Sequence, residues 1–422
     1  MSYNAIVTRI QEVKKHPNAD RLALATVLGK QIITSLDAQV GDVGIYFPSD
    51  GQLSHDYCMA NGLYRKNPEN GLPMGGYFEE NRRVRIIKMR GEISDGFFAP
   101  LSSLNYLDFD AESLKVGSMF NFINGEQICN KYVTEETVKM RTANNKAKTV
   151  KPSSLPTFYR VGDTANLNFF IDTIPLNSFV VVSDKMHGTS GRTGLIKYQP
   201  IAKKGIMARL INYFINSFGL KEKQDYRYIS GTRKTILENG AYHLKDDYRI
   251  EAHNRFVGKL HEGEIVYYEI VGYAGNNTTI QPSHDTTKFP ELEEIFGKEV
   301  LYTYGCKPGE HEIYVYRMGI NNESGVWTEY PWWKVVERCQ EMDINTVVVL
   351  NQFIHTDPKQ TIFRIKKMVN DYVYDPVGTT HPLEGVCLRI NDTVYKFKSD
   401  TFCLLEDIKL DSGKYVDPEE IN

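Results

Sequence analysis

The stretch Phe179-Val-Val-Val-Ser-Asp-Lys185-Met-His-Gly-Thr-Ser190 joins an apolar run to a glycine turn. The β-branched residues after Phe179 predict a buried strand. Lys185 follows that strand, which predicts that its amine points into a cleft. Desolvation or nearby cations can then lower a lysine pKa enough to make the amine nucleophilic. Gly188 lets the backbone approach a ligand closely. Taken alone, the stretch also fits a surface turn with a solvated lysine.

Three later stretches carry the charged residue types that chemistry at a phosphate requires. Val266-Tyr-Tyr-Glu-Ile-Val-Gly272 and Glu384-Gly-Val-Cys-Leu-Arg389 each bring one carboxylate to an apolar strand. Val394-Tyr-Lys-Phe-Lys398 places two lysines on one face, because strand residues two apart point the same way. Cations stabilise the charge that develops on an attacked phosphate, and Mg²⁺ prefers oxygen ligands. A paired structural glutamate and a solvent-facing lysine pair remain the alternatives for each stretch alone.

The pattern of the chain predicts two domains of different kinds. Residues 1–125 contain short β-rich runs separated by Gly, Pro, Asn and Asp, which predicts a small β-barrel or sandwich. Residues 126–157 are predicted to be a linker, because their second half is polar, basic and rich in proline. Residues 158–422 alternate strand-like and helix-like runs, which predicts an α+β domain with mostly antiparallel strands. Its expected elements include the helices Gly205–Phe218, Trp332–Met342 and Pro358–Tyr372 and the strand Thr346–Leu350.

Composition excludes several classes of protein. The 422 residues are 41% hydrophobic and 24% charged, which excludes wholesale disorder and fibrous repeats. The sequence has no run of about 20 apolar residues and no apolar signal core at its start, so we expect neither a membrane span nor secretion. Six cysteines without a Cys-x-x-Cys pair argue against a disulfide framework and a structural zinc site. They favour a cytoplasmic location. The oligomeric state cannot be read from the sequence.

Although the net charge of the chain is −3, one segment is basic. Residues 192–259 hold 14 Lys or Arg against six Asp or Glu. The tyrosines interleaved with these cations are Tyr213, Tyr226, Tyr228, Tyr242 and Tyr248. This pattern fits the binding of a phosphate backbone, and it fits a solvated helical face equally well.

In combination, these stretches resemble the covalent nucleotidyltransferases, which include the ATP-dependent RNA and DNA ligases and the mRNA capping enzymes. The stretches 185–190, 268–270, 384–389 and 396–398 are similar to motifs I, III, IV and V of that superfamily, in the same order. Ser230-Gly-Thr-Arg-Lys234 is similar to motif Ia, and Tyr314-Val-Tyr-Arg-Met318 to motif IIIa. In motif IIIa an aromatic ring stacks on the purine. Tyr316 also fits a core strand tyrosine.

Within the superfamily, two details favour an RNA ligase. His187 stands where DNA ligases and capping enzymes usually have Asp, and Lys-x-His-Gly-Thr resembles the RNA-repair ligases. Those two other classes also carry an OB domain with a motif VI after motif V, and the residues after Lys398 are too few for one.

The N-terminal region carries a second resemblance. Val13-Lys-Lys-His-Pro-Asn-Ala-Asp-Arg-Leu22 and Arg85-Ile-Ile-Lys-Met-Arg-Gly-Glu-Ile-Ser-Asp-Gly-Phe-Phe98 resemble tRNA-binding OB modules of aminoacyl-tRNA synthetases and their accessory factors. OB barrels hold single strands and RNA ends through cations and stacked aromatics. The candidate nucleic-acid contacts are Arg82, Arg83, Arg85, Lys88 and Arg90, any of which alternatively faces solvent. An OB domain before the core resembles one branch of RNA ligases, which joins a 3′-hydroxyl RNA end to a 5′-phosphate end.

The resemblance implies a three-step reaction with ATP and Mg²⁺ (or Mn²⁺). Lys185 attacks the α-phosphate of ATP and forms lysyl-AMP, AMP passes to a 5′-phosphate, and the 3′-hydroxyl then displaces AMP. Lys396 and Lys398 bind the α-phosphate and assist catalysis. Glu269 engages the ribose or the metal, and Glu384 organises water on the metal. The full set of implied nucleotide-binding residues is His187, Gly188, Arg233, Glu269, Tyr316, Glu384, Lys396 and Lys398.

Two alternatives stay open at this point. One is the same chemistry on another substrate, in a DNA ligase or a capping-type enzyme. The other is a non-catalytic RNA-binding protein with a degenerate transferase core. For an RNA ligase the substrate is RNA with 3′-hydroxyl and 5′-phosphate ends, as in tRNA or a nicked duplex, and the expected role is RNA repair. We also expect that deleting residues 1–125 preserves formation of lysyl-AMP and impairs sealing.

Overall fold

The structure, a computed structural model, describes residues 3–146, 155, 157–198, 225–233, 235–237, 247–275, 277–322, 326–411 and 415. The predicted helix Gly205–Phe218 lies outside these residues, as do Tyr213, Lys234 and Tyr242. Much of the basic segment 192–259 therefore receives no structural description.

The N-terminal part is built from short strands and little helix, as its turn-rich sequence predicts. The strands are β1 (Ala5–Lys15), β2 (Leu22–Val27), β3 (Lys30–Ser35), β4 (Val43–Phe47), β5 (Gly51–Leu53), β6 (Arg83–Val84), β7 (Ile86–Met89), β8 (Glu92–Asp95), β9 (Phe97–Pro100), β10 (Met119–Phe120), β11 (Phe122–Ile123), β12 (Glu126–Gln127) and β13 (Cys129–Lys131). The helices are α1 (His55–Ala60) and α2 (Glu135–Lys146).

Strand β1 is the central strand of the N-terminal part. It pairs antiparallel with β2 and with β4, and a bulge between Ile10 and Glu12 bends it between the two partners. The main sheet has the order β3-β2-β1-β4-β9, and a second sheet has the order β13-β5-β6. Val7, Ile45 and Phe47 are buried between them in one apolar core. Because β13 pairs with β5, the N-terminal unit extends to Lys131. Helix α2 lies within the predicted linker.

The C-terminal part carries longer strands and most of the helix. The strands are β14 (Ala165–Asn166), β15 (Ser178–Asp184), β16 (Thr189–Tyr198), β17 (Asp225–Thr232), β18 (Ile236–Leu237), β19 (Glu264–Ala274), β20 (Thr278–Thr279), β21 (His284–Asp285), β22 (Glu299–Val300), β23 (His311–Asn321), β24 (Trp327–Glu329), β25 (Val349–His355), β26 (Gly385–Ile390) and β27 (Thr393–Lys398). The helices are α3 (Leu167–Phe170), α4 (Asp247–Asn254), α5 (Pro290–Phe296), α6 (Trp332–Met342), α7 (Pro358–Asp371) and α8 (Asp400–Asp411).

Two mostly antiparallel sheets meet at the turn after β15. One has the order β14-β27-β26-β15-β25, and the other has the order β18-β17-β16-β19-β23-β24. Strand β15 belongs to the first sheet and β16 to the second, so the four residues 185–188 between them cross from one sheet to the other. The fold therefore places the stretch that begins at Lys185 between the end of a strand in the first sheet and the start of a strand in the second.

The helices pack their apolar faces against the sheets. Helix α6 buries Val335, Cys339 and Met342 against the second sheet, and Asp343 ends it in the left-handed conformation, with φ of 53°. The hydroxyl of Ser399 caps α8 by accepting a hydrogen bond from the backbone N–H of Phe402 at 3.1 Å. No helix within the described ranges has the length and apolar character that crossing a membrane requires.

The predicted α+β class, with an N-terminal OB-like barrel before an antiparallel-sheet domain, is confirmed. Helix α6 has the predicted bounds, and β26 and β27 lie where apolar strands were predicted after Glu384 and around Lys396. The predicted strand Thr346–Leu350 is displaced, because β25 begins only at Val349. Backbone bonds from Val315 to Asn345, and from Val347 back to Val315, hold the first part of that run against β23.

Candidate active site

Lys185 lies at the end of β15, directly beside the start of β26. Its backbone N–H donates to the carbonyl of Gly385 at 3.0 Å. Its Nζ donates to Oε1 of Glu384 at 2.6 Å. The antiparallel pairing of β15 with β26 sets this contact, because it places Asp184 opposite Val386. Two residues that are 199 positions apart in sequence thus form one ion pair.

Burial and the opposite charge of the partner shift the pKa of each residue of this pair in opposite directions. Burial lowers the pKa of Lys185, but the carboxylate of Glu384 raises it more, so the net pKa lies above its ordinary value. Burial raises the pKa of Glu384, but Lys185, followed by His187 and Lys398, lowers it more, and the net pKa lies well below its ordinary value. Without a ligand, the amine is therefore an ammonium held by a carboxylate.

The two lysines of β27 lie on the same side of the cleft as Lys185. The pairing of β26 with β27 sets Gly385 opposite Lys398. The Nζ of Lys398 lies 3.9 Å from Oε1 of Glu384 and 2.7 Å from Oε2 of Glu406, in α8. Burial, with the charges of Lys398 and Lys185, lowers the pKa of Lys396 to about 8. This concentration of positive charge is suited to a phosphate.

Glu269 and Gly188 define the opposite wall, on the second sheet. Strands β16 and β19 pair so that Ser190 lies opposite Glu269, and the Ser190 hydroxyl donates to Oε2 of Glu269 at 3.2 Å. A Cβ on Gly188 would lie 2.3 Å from the carbonyl oxygen of Ile270. Gly188 is therefore required for the close contact between the turn and β19.

His187 lies behind the ion pair, in an aromatic cage. Its ring centroid is 4.7 Å from that of Tyr302 and 4.8 Å from that of Phe402, and both contacts are edge-on. Its Nδ1 lies 3.7 Å from Oε2 of Glu384. Burial lowers the pKa of His187, so the ring is neutral at neutral pH. Its contact with Glu384 helps to hold that carboxylate in place.

Tyr316 and Arg233 line the same cleft from other elements. The carbonyl oxygen of Tyr316, in β23, accepts a hydrogen bond from Arg389 at 2.9 Å, so β26 and β23 are tied together there. Arg233, beside the end of β17, forms an ion pair with Asp163. Lys234, the next residue of the motif Ia stretch, lies outside the described residues.

All predicted residues of the C-terminal part therefore border one cleft of about 660 Å³. That volume is within the range of about 300–1,000 Å³ typical of small-molecule sites. Sequence reasoning missed Glu406, because it lies on a helix and belongs to no motif. It also missed the N-terminal residues at the rim, which include Asn4, Lys131 and Tyr132. Only the docking of the two parts brings these residues to the cleft.

Three of the predicted nucleic-acid cations lie against the C-terminal part. The side chain of Arg83 is fully buried, with NH2 at 2.5 Å from Oδ1 of Asp407 and NH1 at 2.7 Å from Oδ1 of Asp411. Arg85 lies 3.0 Å from Oδ2 of Asp411. Lys88 forms an ion pair with Glu291, in α5. In this arrangement a nucleic acid cannot reach the Arg83 side chain.

The remaining two predicted cations contact only the N-terminal part in the hydrogen bonds of the described residues. Arg82 donates to the carbonyl of Leu53 at 3.0 Å and to the hydroxyl of Tyr64 at 3.3 Å. Arg90 is exposed and donates to the carbonyl of Asn18 at 3.2 Å, within the turn that resembles the tRNA-binding signature. These cations remain accessible on the domain surface.

Comparison with known proteins agrees with both halves of this architecture. A family model described as an OB-fold domain matches residues 4–101. No curated protein matches the chain. A solved structure of Naegleria gruberi RNA ligase, an apo mutant, is similar with a TM-score of 0.59 at 13% identity, covering 96% of this chain and 98% of that one.

Two further solved structures of the Naegleria gruberi RNA ligase are similar over nearly the same length. A mutant with ATP and Mn has a TM-score of 0.59 at 13% identity, covering 94% of this chain and 98% of that one. The structure with PPi has a TM-score of 0.57 at 12% identity, covering 94% and 97%. This chain therefore has the fold of that RNA ligase over nearly its whole length, with an OB-fold domain at its N-terminus.

Proposed function

We propose that this protein is an ATP-dependent RNA ligase that works through a lysyl-AMP intermediate. One observation carries the proposal. The Lys185 amine is 2.6 Å from Glu384, and Lys398 approaches the same carboxylate oxygen at 3.9 Å, in a cleft of nucleotide size. A nucleophile, its carboxylate and a cation for the phosphate thus meet at one point. The fold shared with an RNA ligase supports the choice of reaction.

In the proposed first step, the α-phosphate of ATP binds to the ammonium groups of Lys396 and Lys398. The ammonium of Lys185 gives its proton to solvent, and the neutral Nζ attacks the α-phosphorus. A P–N bond forms, the bond from the α-phosphorus to the bridging oxygen breaks, and pyrophosphate leaves. Covalent catalysis of this kind divides one difficult exchange into easier steps. The charge that develops on the phosphate is stabilised by cations that are already in place.

The charge distribution of the cleft also fits a divalent cation. Oε2 of Glu384 is buried and accepts no hydrogen bond among the described residues. The described residues contain no group of three His, Cys, Asp or Glu placed to hold a metal ion directly. We propose that Glu384, with Glu269, holds Mg²⁺ or Mn²⁺ mainly through water, as Mg²⁺ prefers. When bound, the ion neutralises charge on the phosphates.

In the second and third steps the AMP group moves to the RNA and then leaves. The 5′-phosphate of RNA attacks the phosphorus of lysyl-AMP, which restores Lys185 and gives an adenylated 5′ end. The 3′-hydroxyl then attacks the 5′-phosphate, forms the phosphodiester bond and displaces AMP. We propose repair of broken RNA as the biological role, with tRNA or a nicked duplex as candidate substrates.

We propose the following roles for the other cleft residues. Tyr316 stacks on adenine, and Glu269 contacts the ribose or the metal. Arg233 holds a phosphate of the nucleotide or the nucleic acid, after exchanging its contact with Asp163. Gly188 gives the nucleotide access to the turn. His187 keeps the Glu384 carboxylate in place from behind.

We propose that the N-terminal domain holds the RNA. Its barrel carries exposed Arg90 and half-buried Arg82, which remain candidates for phosphate contacts. For Arg83, Arg85 and Lys88 we propose a role in docking the two domains, because each contacts a carboxylate of the C-terminal part.

Labelling with ATP tests the proposal. The protein is incubated with ATP labelled at the α-phosphorus and Mg²⁺, and then analysed on a denaturing gel beside Lys185→Ala. We expect a labelled protein band that the substitution abolishes and that chases into AMP when nicked RNA is added. A parallel reaction with GTP tests a capping-type enzyme, and all-DNA nicks test a DNA ligase. A band that persists in Lys185→Ala contradicts the assignment, and RNA binding without any band selects a non-catalytic protein.

A further inference from the structure

Helix α8 lies between the N-terminal domain and the cleft. It begins two residues after Lys398, and its Ser399 cap fixes its first turn. Positions 400, 403, 404, 407 and 411 lie on one face of a helix with 3.6 residues per turn. Positions 402, 405, 406 and 409 lie on the opposite face. These two faces contact different parts of the molecule.

The first face of α8 carries acidic residues that contact basic residues of the N-terminal domain. Asp407 and Asp411 bind Arg83, as described above. At the start of the helix, Lys30 of β3 lies 3.5 Å from Oδ1 of Asp400 and 2.7 Å from Oδ2 of Asp95. Both Arg83 and Lys30 are buried. Two cations of the N-terminal domain therefore hold this face along its length.

The opposite face of α8 contacts the catalytic residues. Glu406 lies 2.7 Å from Nζ of Lys398, and the ring centroid of Phe402 lies 5.2 Å from the same atom. Phe402 also contacts the His187 ring at 4.8 Å between centroids. Leu405 is buried in the same core as Met186, next to the nucleophile. One rigid helix thus joins the docking contact to the phosphate-binding lysine.

We propose that α8 makes the docked N-terminal domain part of the lysine adenylylation machinery, with Arg83 and Glu406 acting as positioning residues for Lys398. This inference rests on the proposed function and extends it. Loss of Arg83 removes its contacts with Asp407 and Asp411, which hold the end of α8 against the N-terminal domain. Movement of α8 shifts Glu406 and so withdraws Lys398 from the α-phosphate.

The proposal changes what is expected of a truncated chain. A transferase part without residues 1–125 lacks both Lys30 and Arg83, and three carboxylates on one face of α8 lose their cations. Formation of lysyl-AMP is therefore expected to slow in that truncation. The sequence alone favoured the opposite result, because the N-terminal domain was expected to hold RNA ends and to leave ATP chemistry alone.

The test uses the full chain and measures lysyl-AMP formation in a single turnover at saturating ATP. We expect Arg83→Gln and Glu406→Gln each to slow this step at least tenfold, and Arg83→Lys to recover part of the rate. Because both residues act through α8, the double variant is expected to be little slower than the slower single variant. Glu291→Gln is the matched control, because it breaks a contact between the same two domains away from α8. We expect its rate to stay within twofold of wild type.

The extent of labelling separates positioning from simple loss of folded protein. A positioning defect lowers the rate and preserves the final extent, whereas unfolding lowers the extent and leaves the rate of the remaining molecules unchanged. If Arg83→Gln does not fold, Asp411→Asn is measured instead, since it weakens the same contact and keeps the Arg83–Asp407 pair. A folded variant within twofold of the wild-type rate, or full additivity of the two substitutions, overturns the inference. Absence of lysyl-AMP in the wild type overturns the proposed function itself.

Discussion

Two sets of cations in this chain have opposite surroundings. Arg83 and Arg85, from the N-terminal domain, reach carboxylates that nearly match their charge. Lys396, in β27, forms no ion pair with the described residues, and its pKa falls to about 8 because burial and neighbouring cations oppose its charge. Cations with matched carboxylates hold domains together. Cations crowded with other cations are suited to a phosphate that has yet to bind.

The first prediction concerns the matched set and has the largest expected effect. Arg83→Gln removes one partner of a buried ion pair, so we expect the free energy of unfolding to fall by about 3–5 kcal/mol. Glu291→Gln removes a half-exposed partner of Lys88 and is expected to cost less than about 1 kcal/mol. Denaturant unfolding of both variants measures the difference. Equal losses would show that burial does not distinguish these contacts.

The second prediction concerns Lys398, the other lysine of β27, which lies in the cleft and pairs with Glu406 and Glu384. Lys398→Met keeps much of the volume of the side chain and removes the ammonium that lies 2.7 Å from Glu406 and 3.9 Å from Glu384. We expect lysyl-AMP formation to slow by about 10²–10³-fold, the effect typical of losing one donor that stabilises transition-state charge. Thermal stability should also fall, since the variant leaves Glu406 without its cation and Glu384 without one of two. A rate near that of wild type, measured by single-turnover labelling, would remove Lys398 from the chemistry.

The third prediction is a change in pH dependence with a smaller effect. In the ligand-free protein Lys185 has a raised pKa, so its neutral fraction increases tenfold with each pH unit through the neutral range. Lys396 is protonated below its pKa of about 8 and loses its charge above it. At subsaturating ATP, the rate of lysyl-AMP formation should therefore rise with pH and level off near 8.

Lys396→Met provides the control for this break in the pH profile. Its rate should be lower than that of wild type throughout, and it should continue to rise above pH 8, because the group that loses its charge has been removed. A break that persists at pH 8 in Lys396→Met would assign it to another group.

Much of the catalytic cleft could be predicted from the sequence because its determinants are local. The alternation of β27 places Lys396 and Lys398 on one side, and the apolar run of β15 ends where Lys185 must emerge. Pairing of β15 with β26 then brings Glu384 to Lys185. The common face of the two lysines follows from two-residue periodicity. The meeting of Lys185 with Glu384 was expected only because both stretches resemble motifs of one superfamily.

The contacts between domains could not be predicted in the same way. Arg83 meets Asp407, which lies 324 residues later, and nothing in either local sequence indicates the other. An arginine in a β-rich run has the same local pattern whether it faces RNA, solvent or a carboxylate. Glu406 was missed for a related reason, since it acts by its position on a helix face and not by a motif. Docking of whole domains decides the role of such residues.

The most direct test of the central claim separates Lys185 from the steps that follow it. Lys185→Ala is given nicked RNA in two forms, one with a plain 5′-phosphate and ATP, and one whose 5′ end is already adenylated. The account predicts no sealing of the first form and sealing of the second, because the cleft remains and only the AMP-carrying amine is lost. Sealing of the plain 5′-phosphate form by Lys185→Ala with ATP would contradict it.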